Sequence, residues 1–162
     1  MERIKWIDQL KGFTIFLVVY AHNFPLLEQY IYTFHMPLFL MISGFFISSS
    51  TNFLVIKKRF TGIMLPYYFW AILLFLFWLF VAKDIGDSAN ENLSTTKNLI
   101  GIFYAQGGRE YMDWGMPMWF LPMIFTAFLI HFFLCIITDN QYFILFLSFA
   151  SMLIGFFIKE NL

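Results

Sequence analysis

Charge is scarce in this chain. Only 12% of its 162 residues are Asp, Glu, Lys or Arg, and the formal net charge is zero, whereas soluble domains carry about 25% charged residues. The balance removes the electrostatic case for nucleic acid as a partner. Cysteine is nearly missing too, since Cys135 stands alone and no intrachain disulfide can form. No metal site is expected. No cleaved leader is expected: Glu2 and Asp8 are mixed among the first cations, and no small-x-small site follows the first apolar run. That run is expected to stay in the mature protein. No internal repeat is visible.

What fills the chain instead is apolar. Hydrophobic residues make up 60%, 24 of them Phe, with five Trp and eight Tyr, and mean hydropathy is +0.74. This is the composition of a membrane protein. Five apolar segments are expected as spans, at about residues 12–30, 31–50, 61–82, 114–138 and 141–158. Each is near the ~20 residues a helix needs to cross. Helices are required because lipid offers backbone amides no partners. The fold class expected is therefore an all-α integral membrane protein, a bundle of about five transmembrane helices. Arg3, Lys5 and Lys11 precede the first segment and Lys57, Lys58 and Arg59 precede the third, while loop 83–113 holds three cations against five acids. The excess of Lys and Arg in the short loops puts the N-terminus in the cytoplasm and loop 83–113 outside. The first half of that loop reads as mobile, and residues 98–104 as a short interfacial helix.

One stretch organises the rest. From Trp6 to Phe46 the chain places Asp8 and Lys11 before an apolar run and His22 within it. Lys11 and His22 are eleven positions apart, close to three turns at ~3.6 residues per turn. Asp8, Lys11, Ile15, Val18 and His22 thus share one helix face, with His22 roughly 16 Å beyond Lys11. If Lys11 marks one face of the bilayer, that is about half of a ~30 Å hydrocarbon core. Ionisable groups at such depth usually serve function.

Several motifs in order carry a family resemblance. They are Asp8-Gln9-Leu10-Lys11-Gly12, the cation ahead of His22, Phe34-His35-Met36-Pro37-Leu38-Phe39 and Ile42-Ser43-Gly44-Phe45. Lys57-Lys58-Arg59 followed by Leu65-Pro66-Tyr67, and then Trp119-Phe120-Leu121, continue the series. Together they resemble the membrane acyltransferase-3 family, and within it the fucose 4-O-acetylase-like branch. The resemblance implies transfer of an acyl group, most often acetyl, from acyl-CoA to a hydroxyl of a cell-envelope saccharide, in a bacterial inner or plasma membrane. It implies no bound cofactor; acyl-CoA is the donor substrate, and donor, sugar acceptor and lipid bilayer are the partners. His22 and His35 are the candidate catalytic residues. Lys11, Asp8, Lys57, Lys58 and Arg59 are candidates for holding acyl-CoA, the cations against its phosphates and Asp8 beside Lys11. Lys11 stands where many members of the family have Arg, and Lys lacks the bidentate fork.

Members of this family usually have about ten spans, so the resemblance covers an N-terminal half. The readings are a truncated gene, a fragment, or a chain completed by a second one that supplies the missing helices, and inactivity alone is expected. A different class is a transporter-like protein with His22 and Lys11 lining the path; an inactive remnant that still inserts is a third. His131 matches no motif and reads as a structural hydrogen-bonder. Ser43-Gly44 reads as close helix packing rather than a nucleophile.

Overall fold

A computed structural model of the chain describes residues 5–21, 23, 28–45, 52–91, 93–147 and 149–150. Among these, regular structure is entirely helical. The chain divides into two compact units, residues 1–48 and 49–162.

The first unit contains α1 (Lys5–Ala21) and α2 (Glu28–Phe45). On α1 the buried residues are Ile7, Thr14, Leu17 and Ala21, spaced by seven, three and four so that they form one stripe. Leu17 and Ala21 close on Ile31 of α2, with Phe34 packed against them. Thr14 has no exposed surface. Its Oγ1 donates to the Leu10 carbonyl at 2.7 Å, so this polar group satisfies itself within the helix. The outer face carries Phe13, Phe16 and Val19, each more than half exposed.

The second unit is built on one continuous helix, Phe53–Ala82, of 30 residues. It comprises α3 (Phe53–Arg59), a π turn at Phe60–Met64, α4 (Leu65–Phe77) and a second π turn at Trp78–Ala82. Asn52 starts it, extended in backbone, with its side chain accepting from the Leu54 amide at 2.9 Å. The first π turn immediately precedes Pro66. Proline has no amide to offer the carbonyl four residues back, and a widened turn makes room for its ring. Because the helix begins at Phe53, Lys57, Lys58 and Arg59 lie within it and not in a loop before it.

The segment beyond Ala82 folds into α5 (Asp87–Asn90), α6 (Thr95–Tyr104) and α7 (Arg109–Met112). A 3₁₀ turn at Met116–Trp119 leads into α8 (Phe120–Ile137). The chain is helical again over 141–147, where the Asn140 side chain accepts from the Tyr142 amide at 3.0 Å. Rings register α8 against α3 antiparallel: Phe132 on Phe53 at 5.5 Å and Phe125 on Phe60 at 5.8 Å. The remaining buried face of the long helix is Met64, Tyr67, Ala71, Phe75 and Trp78, a stripe at spacings of three and four. Ile102, Met112 and Trp114 cover it. The segment expected to be a polar loop is therefore largely folded onto a helix.

Phe53–Ala82 and Met116–Ile137 are each long and apolar enough to cross a membrane. Only 28% and 17% of their most apolar windows are buried, so most of that apolar surface faces outward, as lipid contact requires. These two enclose the expected spans 61–82 and, within two residues, 114–138. The expected spans 12–30, 31–50 and 141–158 fall partly outside the described residues.

Candidate functional site

On α1, Asp8 and Lys11 are both half-buried and one turn apart. At ~100° per residue, Lys11 and Val18 sit at the edge of the stripe that packs on α2, while Asp8 and Ile15 turn further from it. Ile15 is accordingly exposed. Lys11 and Asp8 both take part in interactions, so neither is an isolated charge on an apolar helix. His22 lies outside the described residues. The backbone of His35 belongs to α2, and its side chain lies outside the described set.

In the second unit, Lys57, Lys58 and Arg59 occupy the last turn of α3. Both lysines are exposed and Arg59 is half-buried. The Arg59 guanidinium lies over the Phe128 ring of α8, 4.6 Å from its centroid. That contact sets the cation on an aromatic face. The Thr61 hydroxyl donates to the carbonyls of Lys57 and Lys58 at 3.1 and 3.0 Å, tying the cationic turn to the π turn after it. The structure thus groups Lys11 with Asp8 in one unit and the three later cations in the other. His131 is half-buried, its Nδ1 3.6 Å from Cys135 Sγ one turn along the same helix.

A polar cluster that sequence reasoning missed is centred on Asp113, whose side chain is 4% exposed. Its Oδ2 accepts from Trp78 Nε1 at 2.8 Å and from the Ser88 hydroxyl, and its Oδ1 accepts from Arg109 Nε at 2.9 Å. The Asp113 amide donates to Asn98 Oδ1 at 2.9 Å. Asn98 is fully buried; its Nδ2 donates to the carbonyls of Ser94 and Glu110, each at 3.2 Å, and its own carbonyl accepts from Trp114 Nε1 at 3.0 Å. Arg109 also pairs with Glu91, and Lys97 with Glu110.

The charges respond accordingly. Burial pushes the Asp113 carboxyl upward, but hydrogen bonds from Ser88, Arg109 and Trp78, with the Arg109 charge, outweigh it and hold the group below its ordinary value. The Lys97 ammonium is raised by its hydrogen bond to Glu110. Among the described residues no buried side-chain polar atom lacks a partner. The buried polar atoms of the cluster are thus all occupied, and its buried chemistry is that of an anchor. Close backbone approach supports it: a Cβ on Gly101 would sit 1.7 Å from the Tyr111 carbonyl oxygen, so α6 and α7 meet only because that position is glycine. The sequence signal was Arg109 and Asp113 four apart, after the Gly107-Gly108 turn.

Among the described residues no three His, Cys, Asp or Glu side chains converge as metal ligands. Residues 4–159 match the acyltransferase-3 family model, which is described as an acyltransferase domain. No curated protein and no solved structure matches the chain.

Proposed function

The chain belongs to the acyltransferase-3 family, and on that premise we propose that it is a multi-pass membrane O-acyltransferase of the cell envelope. It moves an acyl group, acetyl in the simplest case, from acyl-CoA to a saccharide hydroxyl. The observation that carries the reading is the family match across 4–159, which includes every candidate site residue. In the proposed step the hydroxyl oxygen attacks the thioester carbonyl while the His22 imidazole takes the hydroxyl proton. The C–S bond breaks, CoA leaves as thiolate, and the proton passes from His22 to it, regenerating the base. His35 is the second candidate at the reacting groups. Lys11 holds a CoA phosphate, Lys57, Lys58 and Arg59 are further candidates for that role, and Asp8 positions Lys11 from one turn away.

Membranes bearing the chain, with whatever partner completes it, are given labelled acetyl-CoA and an envelope saccharide. Label is expected in the saccharide, with one free thiol released per acyl group. Lys11→Ala should raise the apparent KM for acetyl-CoA more than it lowers kcat, with Lys11→Arg close to the parent. No labelled saccharide would overturn the acyl-transfer reading; an unchanged donor KM in Lys11→Ala would remove Lys11 from the donor site alone.

The donor reaches the site from the cytoplasm and the acceptor from the other side in this scheme, with 83–113 away from the cytoplasm. Ser88 is a poor place to test this, because its hydroxyl is bonded to Asp113. Ala89 is exposed. In a Cys135→Ala background, Ala89→Cys should react with an impermeant thiol reagent in intact cells. Reaction only after lysis would reverse the orientation.

A further inference from the structure

We propose that the segment from Thr95 to Asp113 is a re-entrant hairpin, entering the bilayer alongside α4 with the apolar end of α6 against lipid hydrocarbon. Depth follows from its contacts with the long helix. That helix has 30 residues, ~45 Å of length, which matches a bilayer with its headgroup regions. Tyr67 is then near the midplane. Trp78 lies roughly 16 Å away along the axis, near the hydrocarbon boundary where tryptophan is enriched. Asp113 is tied to the Trp78 level by its carboxylate, which accepts from the indole, and Asn98 follows through the Asp113 amide. The C-terminal end of α6 is deeper, Ile102 by up to ~6 Å beyond Asn98: the Ile102 carbonyl accepts from the Tyr67 hydroxyl at 2.9 Å, and the Phe103 ring is 5.8 Å from that of Tyr68.

On α6 the charge is confined to the first turn. Thr95, Thr96, Lys97 and Asn98 come first, and no charged residue follows until Arg109. Leu99, Ile100, Phe103 and Tyr104 are 48%, 49%, 75% and 64% exposed. A helix lying on a membrane surface keeps a polar stripe along its whole length; the outward side of α6 has none past Lys97. The Phe103 ring lies beside Tyr68 of α4, and α4 itself exposes apolar surface, with Phe69 and Phe77 61% and 56% exposed. The return turn also suits depth. Irregular backbone is tolerated inside a bilayer where protein covers it. Ala105, left-handed at φ 48°, caps α6 by donating its amide to the Gly101 carbonyl at 2.9 Å. Gly107, at φ +81°, lies so close to Trp119 that a Cβ would meet the indole at 2.7 Å. Its amide donates to Met112 Sδ at 3.3 Å.

The inference needs the membrane but not the acyl-transfer reading, and its test measures no activity. In a Cys135→Ala background the full chain is reconstituted in phosphatidylcholine vesicles, with a nitroxide at Phe103→Cys, Tyr104→Cys or Lys97→Cys. All three native side chains are exposed, so the labels disturb little packing. Oxygen partitions into hydrocarbon and a nickel chelate into water. The ratio of oxygen to nickel-chelate accessibility should be several-fold higher at positions 103 and 104 than at 97. Equal ratios at the three positions would place α6 on the membrane surface and overturn the proposal. Protection from both reagents at 103 and 104 would mean that a protein partner covers this face, which overturns it as well.

Discussion

His22→Ala should abolish detectable acyl transfer in the assembled enzyme. A positioned general base is worth ~10²–10⁴ in rate, and a saccharide hydroxyl must lose its proton as it attacks a thioester. The loss should fall on kcat, with the KM for acetyl-CoA little changed, because the proposed base acts on the hydroxyl and not on the CoA phosphates. That pattern separates it from Lys11→Ala, which should act on KM. His131→Ala is the matched control, being a histidine in an apolar helix whose near neighbour is Cys135 in the next turn. It should retain most of the rate. Normal turnover in His22→Ala would remove the base assignment, and equal losses in both variants would mean that any histidine deletion harms folding.

The helical nature of the chain was legible because the apolar runs are long and lipid permits few alternatives. The face shared by Asp8, Lys11, Ile15 and Val18 was legible as well, since α1 is an uninterrupted helix over all four. Which side of it packs was not. Counting residues gives angular position, but the buried stripe of Ile7, Thr14, Leu17 and Ala21 is set by where α2 lies. The reach of the third helix was also hidden. Lys57, Lys58 and Arg59 look like the end of a loop, whereas Asn52 caps a helix that already contains them.

The larger miss lay in residues 83–113, whose first half was read as mobile, although the short helix expected at 98–104 does lie within α6. Local composition there favours turns, and nothing in a window of ten residues shows that Trp78 will find Asp113 thirty-five positions later. Long-range side-chain pairs of this kind are decided by tertiary packing. The alternation from polar Thr95–Asn98 to apolar Leu99–Ala105 was present in the sequence. Its meaning as a direction of insertion emerged only once Ile102 was seen against Tyr67.

Removing that pairing should cost the second unit more than any other single polar change within 83–115. In Asp113→Ala the Trp78 indole N–H is left without an acceptor on a side that is 2% exposed, and the Ser88 and Arg109 bonds vanish with it. An orphaned buried donor costs about 1–3 kcal/mol. Ser88 can turn its hydroxyl and Arg109 keeps Glu91, so a total loss of about 3 kcal/mol is expected. Asp113→Asn should cost less, since one side-chain oxygen remains to accept. Lys97→Ala should change stability little, because its pair with Glu110 is about half exposed on both sides and water screens such pairs. Acid should act through the same carboxyl. Its folded value is depressed, so its contribution is fully present above the ordinary carboxylate range near pH 4 and is lost as pH falls through the depressed value. Thermal unfolding in detergent should therefore show a midpoint that drops below about pH 4 in the parent, with a smaller drop in Asp113→Asn. An Asp113→Ala protein that melts with the parent would mean that the indole and guanidinium find other partners, and that the hairpin is held to α4 by Ile102, Met112 and Trp114 alone.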